Sequence, residues 1–207
     1  LALEDFTTYT EVDPGGDLTI TATKIAADML ERNLDTYVYL DKGEGHFGTT
    51  FKHDVQFIYK TGSDDMGLLG FWAVANNVGD ITELGEALYV RAYRSSQYGN
   101  EIKAFNVEGE EDLYGACILD TYYYCTAERT GDTTFELRIY SDAARTTLLD
   151  TLTLAIASGR SYRYVYGIIS NNDRKADRAA KGDVENLDLN EGPAGTPMHY
   201  FARRRAG

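Results

Sequence analysis

Apolar and polar residues alternate with a period of two along most of this chain. That spacing turns one face of a β-strand to a core and the other to water. The cleanest instance is 51–59, where Phe51, His53, Val55, Phe57 and Tyr59 alternate with Lys52, Asp54, Gln56 and Ile58. Residues 121–154 read as strand, turn, strand, turn, strand, with Tyr123, Cys125 and Ala127 on one face and Phe135, Leu137 and Ile139 on the next. If all six point inward, 127 pairs with 135, 125 with 137 and 123 with 139. The simplest loop is then Thr130-Gly131-Asp132, because a slip of one residue would turn a strand inside out. The following turn opens with Ser141-Asp142, whose side chains can accept from nearby backbone N–H groups.

The same reading gives strands at 6–13, closed by Pro14-Gly15-Gly16, and at 18–23. Residues 25–33 fit an irregular strand, with a helical turn as the alternative. Further strands are expected at 37–41, 88–93, 101–107, 113–119, 162–170 and 183–189, with an acidic turn at 108–112 and a charged loop at 171–181. Residues 68–74, with Phe71 and Trp72, are apolar on both faces, as in a central strand covered on each side. Roughly a dozen strands without a helix or repeat point to two antiparallel sheets packed face to face.

Composition agrees. The 207 residues include 16 tyrosines, 20 glycines and only 3 prolines, the usage of many strands joined by turns, and 43% apolar content suffices for one core. A formal net charge of −13 argues against duplex nucleic acid as a partner. No apolar run is long enough to insert in a membrane. Cys117 and Cys125 lie symmetrically about Thr121, so a regular hairpin there would place them opposite each other; a cross-strand disulfide and two buried thiols are both open. His46, His53 and His199 are scattered, with no metal-ligand spacing. A start at Leu1 rather than Met fits a processed product or a further upstream segment.

The run Tyr122-Tyr123-Tyr124 through Arg129-Thr130-Gly131-Asp132 to Leu137-Arg138-Ile139-Tyr140-Ser141-Asp142 resembles the hairpin of concanavalin A-like and laminin G-like domains, as Gly182-Asp183-Val184-Glu185-Asn186-Leu187-Asp188-Leu189 resembles their closing strand. Tyr122-Tyr123 stands where those families often have Trp-Tyr. The wording is similar to uncharacterised domains of this class in phage and environmental-virus proteins. The resemblance implies an all-β, two-sheet antiparallel jelly-roll sandwich over 1–189, used for glycan or protein-surface binding. Residues 190–207 differ: a Gly/Pro linker leads to Met198, Tyr200 and Phe201, then Arg203, Arg204 and Arg205. That is the composition of a C-terminal extended arm that docks on protein subunits of a larger assembly.

Sandwiches of this class include glycosidases and polysaccharide lyases. A glycosidase needs two carboxylates facing one cleft, about 5–10 Å apart. The cluster 108–112 reads as a turn, and Asp183 and Glu185 are expected on different faces, because Val184, Leu187 and Leu189 imply an irregularity between them. No lyase-like set of Arg, Gln, His and Tyr is evident, so the expectation is no catalysis. For binding, Tyr89, Arg91 and Tyr93 share one strand face and Tyr162, Tyr164 and Tyr166 another. Sugar rings stack their C–H faces on such aromatics while polar groups fix orientation, so a tyrosine ladder on a concave sheet is a platform for cell-surface glycan. The competing reading is that these tyrosines pair across strands for stability. No cofactor is implied by a motif. Ca2+ is the ligand typical of the resembled families, with Asp13, Asp17, Asn76, Asn77, Asp80, Asn171, Asn172 and Asp173 as oxygen donors. The combined expectation is a decoration or adhesion subunit on a virion surface or an extracellular protein, with a carbohydrate-binding module of a secreted multidomain protein as the alternative and a polysaccharide-cleaving enzyme of the same fold as the second.

Overall fold

The structure, a computed structural model, describes residues 3–63, 68–97 and 99–191. Its strands form two seven-stranded antiparallel sheets, numbered here in chain order. The first sheet runs β1 (Thr10–Val12), β4 (Tyr37–Asp41), β13 (Tyr164–Ile169), β6 (Leu68–Ala75), β7 (Ala87–Ser95), β8 (Gly99–Asn106) and β9 (Glu111–Tyr114). The second runs β12 (Leu148–Ala155), β11 (Thr134–Tyr140), β10 (Tyr122–Arg129), β5 (Phe51–Gly62), β14 (Lys175–Asp188), β3 (Lys24–Arg32) and β2 (Leu18–Thr21). There is no α-helix among the described residues, and 25–33 does form a strand.

The alternation places Val38, Val74, Leu88, Val90 and Ile102 of the first sheet against Val55, Phe57, Leu137 and Val184 of the second. Trp72 stacks on Phe135, centroids 5.6 Å apart, and Phe57 on Phe71 at 3.7 Å. The Trp72 indole N–H donates to His53 Nδ1 at 3.2 Å, which satisfies two polar groups the core would otherwise strand. Burial holds the His53 imidazole neutral, its pKa pulled down to about 3. Cys117 and Cys125 are free, buried thiols, and burial pushes the Cys117 pKa up to about 12.

The six expected core residues of the β10–β11 hairpin are all buried. The register differs, because 127 pairs with 137, 125 with 139 and 129 with 135. The shift of two keeps every side chain on its face and lengthens the loop. Arg129 is the reason: its fully buried guanidinium donates to the carbonyls of Gly131, Gly48, Asp132 and Arg160, and so pulls the connection inward.

Other boundaries move for local reasons. Residues 6–8 form a 3-10 turn capped by Asp5, so the first strand begins at Thr10. Strand β9 ends at Tyr114, well short of residue 119. The expected charged loop at 171–181 is largely strand, since β14 starts at Lys175; its first three residues are exposed while Ala179 and Ala180 are buried. Net polarity hid a strand that starts exposed and runs into the core.

Strand β6 is central and covered on both faces, as its sequence requires. It is irregular at Phe71, and β13 is irregular beside it at Gly167. These adjacent bulges need glycines. A Cβ on Gly70 would lie 2.4 Å from the Ile169 carbonyl oxygen, and one on Gly167 would lie 2.7 Å from the Phe6 ring. At the sheet edges, β1, β9 and β2 span three or four residues, and only β12 is long. On β12 the Thr151 N–H donates to Asp150 Oδ1 at 2.8 Å and the Thr153 N–H to Asp112 Oδ2 at 2.9 Å.

Candidate functional site

Strand β7 turns Leu88, Val90 and Ala92 into the core and therefore Tyr89, Arg91 and Tyr93 to the outer face of the first sheet. Strand β8 beside it adds Glu101, Lys103 and Phe105 to that face, opposite Tyr93, Arg91 and Tyr89 respectively. Tyr89 stacks on Phe105 at 4.9 Å with planes 10° apart. The Arg91 guanidinium lies over the Phe105 ring at 4.2 Å and the Tyr93 ring at 5.4 Å, and Lys103 Nζ lies 5.7 Å from the Tyr93 ring. Burial holds the Tyr89 hydroxyl above its ordinary pKa and pulls Arg91 below its own, though a guanidinium stays charged.

A second aromatic group lies across the same face. Tyr37 and Tyr39 of β4 meet Tyr164 and Tyr166 of β13, with Tyr39 5.8 Å from each of the latter. The two groups are about 10 Å apart, two strand spacings, because β6 runs between them. At this face β6 turns out Ala73 and Ala75, both fully buried with Leu84, Ala87, Tyr166 and Ile169, so the strip between the tyrosines is filled by apolar side chains. The loop 76–86 closes one end of it. Leu84 is buried there, the Tyr166 hydroxyl donates to the Asn77 carbonyl at 3.0 Å and accepts from the Gly79 N–H at 3.3 Å, and Ile81 N–H reaches the Ser170 carbonyl.

Of the six expected platform residues, Tyr89, Arg91, Tyr93 and Tyr164 thus lie half-buried on one outer face. Tyr162 and Tyr166 do not serve that way. Tyr162 precedes the strand proper, pairs instead with Phe47 and packs in the main core, so the alternation breaks at Arg163. Tyr166 faces outward but is fully buried under the loop it anchors. Tyr37, Tyr39, Lys103 and Phe105 were not expected here. Their strands were readable, but only sheet order brings them beside the others. Met198, Tyr200, Phe201, Arg203, Arg204 and Arg205 lie outside the described residues.

No protein-family model and no curated protein sequence matches the chain. Solved structures do. A functionally unknown protein from Saccharomyces cerevisiae superposes with a TM-score of 0.58 at 10% identity, over 91% of this chain and 100% of that one. The exoplasmic/lumenal domain of VIP36, bound to Ca2+ and Man3GlcNAc, gives 0.55 at 8% identity over 94% and 90%. A legume lectin-like domain from Entamoeba histolytica gives 0.51 at 10% identity over 87% and 88%. The chain has the fold of a concanavalin A-like jelly-roll sandwich, similar to these lectin-like domains. At these identities the likeness is one of fold alone.

Within this lectin-like sandwich the expected calcium donors are largely occupied by the chain itself. Asp13 accepts from the N–H groups of Gly16 and Leu18, Asp80 from those of Thr82 and Asn172, and Asp173 holds Arg32. Asp80 and Asn172 do come together, with Asp35, Thr82, Glu83 and Arg174, around a wholly polar cleft of about 330 Å³. Among the described residues no three His, Cys, Asp or Glu side chains are grouped as metal ligands.

The carboxylates of β14 also sit differently from expectation. Asp183 and Glu185 share the outer face of the second sheet, because the irregularity falls after Glu185, at left-handed Asn186. Lys24 bridges both, Lys60 holds Asp183 at 2.8 Å, and Gln56 and Tyr122 donate to Glu185. Burial works against the Asp183 charge, but the Lys24 and Lys60 hydrogen bonds outweigh it and keep its pKa below the ordinary value. This closed ion network lies on the sheet opposite the aromatic face.

Proposed function

We propose that this lectin-like sandwich is a non-enzymatic glycan-binding module that holds sugar rings on the outer face of its first sheet. The observation that carries the reading is the half-buried pair Tyr89 and Tyr93 flanking Arg91, with half-buried Tyr39 and Tyr164 on the same outer face. Aromatic faces supply stacking, and the cation and hydroxyls supply orientation. Fold likeness to lectin domains supports the same reading. A binding rather than a cleaving role is supported by the placement of Asp183 and Glu185, which are on the other sheet and tied up by lysines. A finer part of the proposal is a surface-displayed place as a decoration or adhesion subunit of a phage-like particle. What supports it is the sequence resemblance and the aromatic-basic composition of 190–207.

The test is binding to an oligosaccharide array by the full chain and by a Tyr89→Ala/Tyr93→Ala variant. Binding that falls at least tenfold in a folded variant is expected, at about 1–3 kcal/mol of stacking per ring by analogy with aromatic–base stacking. Equal binding by the two proteins would move the site elsewhere. Native mass of the full chain tests the assembly role, for which a defined oligomer is expected and a monomer is the contrary result.

A further inference from the structure

The chain carries 33 acidic residues against 20 Lys and Arg, so a cation here seldom lacks a carboxylate. Lys24, Lys42, Lys60, Arg138, Arg160, Arg163 and Lys181 each have one. Arg91 does not. Among the described residues no ion pair reaches it, no hydrogen bond uses its donors, and its Nε is buried without a partner. Yet it is not loose, for its guanidinium carbon lies over the Phe105 ring at 4.2 Å and the Tyr93 ring at 5.4 Å. Burying donors without partners is costly, about 1–3 kcal/mol for each group.

A planar fork fixed in place with its donors unused matches one kind of ligand group best, the two coplanar oxygens of a carboxylate. Two further cations lie near Arg91 in this acidic chain. Lys103 stands opposite Arg91 across the β7–β8 pair, and Arg32 lies near enough to lower the Arg91 pKa. The acidic groups nearby are Glu101, which is buried and 3.3 Å from Lys103, exposed Glu111, and Asp173, which holds Arg32. Tyr89 and Tyr93 flank the fork and would stack the ring that bears the carboxylate. We propose that the glycan held on this face is acidic, a uronic- or sialic-acid-containing oligosaccharide whose carboxylate pairs with Arg91. This rests on the glycan-binding reading above and adds the ligand's chemical class.

The experiment is an array of uronic-acid, sialic-acid, sulfated and neutral oligosaccharides, with the methyl esters of the carboxylated members, probed at 0.15 M ionic strength by the full chain and by Arg91→Gln. The expected result is binding confined to carboxylated sugars, lost on esterification, and weakened about 30-fold in Arg91→Gln, the range of a charged hydrogen-bonded contact. Trp72 fluorescence confirms that the variant is folded. Binding to neutral sugars that Arg91→Gln leaves unchanged overturns the acidic ligand and leaves the glycan reading standing. Binding to sulfated sugars as tight as to carboxylated ones overturns the carboxylate fork. Binding to no sugar in any class overturns both.

Discussion

Replacing Arg129 by Met keeps the length of the side chain and removes the guanidinium that ties three loops together. Its donors reach the carbonyls of Gly131 at 3.1 Å, Gly48 at 3.0 Å and Asp132 at 2.7 Å, together with that of Arg160. Asp132 in turn accepts from the Gly159 N–H at 2.8 Å and from Ser158. The substitution therefore leaves four carbonyls without their donor. At the low end of about 1 kcal/mol each, since the residues that carry them are half-exposed and water can replace part of the loss, the sum is about 4 kcal/mol. The hydrophobic gain of Met offsets about 1 kcal/mol of that.

The assay is urea unfolding followed by fluorescence, which is clean here because Trp72 is the only tryptophan and is fully buried against Phe135. With a slope of about 2.5 kcal/mol per molar urea, a loss of about 3 kcal/mol lowers the midpoint by about 1.2 M. A fall of less than about 0.3 M would refute the reasoning, since the Arg129 bonds would then be no better than those the carbonyls make with water.

Two further predictions concern buried groups. His53 is neutral in the fold, with its pKa near 3 against about 6.5 when unfolded, so the unfolded chain takes up its proton first as pH falls. Its contribution is complete above pH 6.5 and is lost at about 1.4 kcal/mol per pH unit down towards pH 3; His53→Gln, which keeps an acceptor for Trp72, should flatten that slope in a pH series of urea midpoints, and an unchanged slope would count against it. Tyr166→Phe removes the hydroxyl that binds Asn77 and Gly79, so hydrogen exchange at Gly79 should quicken by roughly five- to tenfold, about 1 kcal/mol of local opening, with global stability little changed. Equal exchange in both proteins would show that Leu84 alone seats the loop.

Period-two alternation was enough to reveal the two-sheet sandwich, because nearly every strand has one face in the core. It told inward from outward correctly at Tyr123, Cys125, Ala127, Phe135, Leu137 and Ile139. It could not set the hairpin register, since a shift of two preserves all six orientations, and the deciding group was an arginine drawn inward by carbonyls distant in sequence. The last strand is legible at 183–189, but the first half of β14 reads as loop, because Lys175, Ala176 and Asp177 are all exposed and Ala179 and Ala180 both buried, so no alternation marks it. The candidate site was half legible. Tyr89, Arg91 and Tyr93 follow from one strand, whereas Tyr39 and Phe105 join them only through sheet order, and Tyr166 left the platform because a loop from elsewhere covers it.

The sealed edge of β12 bears on how many copies could stand close together. Adjacent sandwiches fuse into continuous β-structure through open edges, where free N–H groups template a neighbour's strand. Strands β1, β2 and β9 are too short to act as templates, and on the longer β12 the carboxylates of Asp150 and Asp112 already occupy the amides of Thr151 and Thr153. A neighbour could use those two amides only by displacing a charged acceptor from each. Dense arrays of this domain would therefore meet through side chains, and each copy would keep its own sheets.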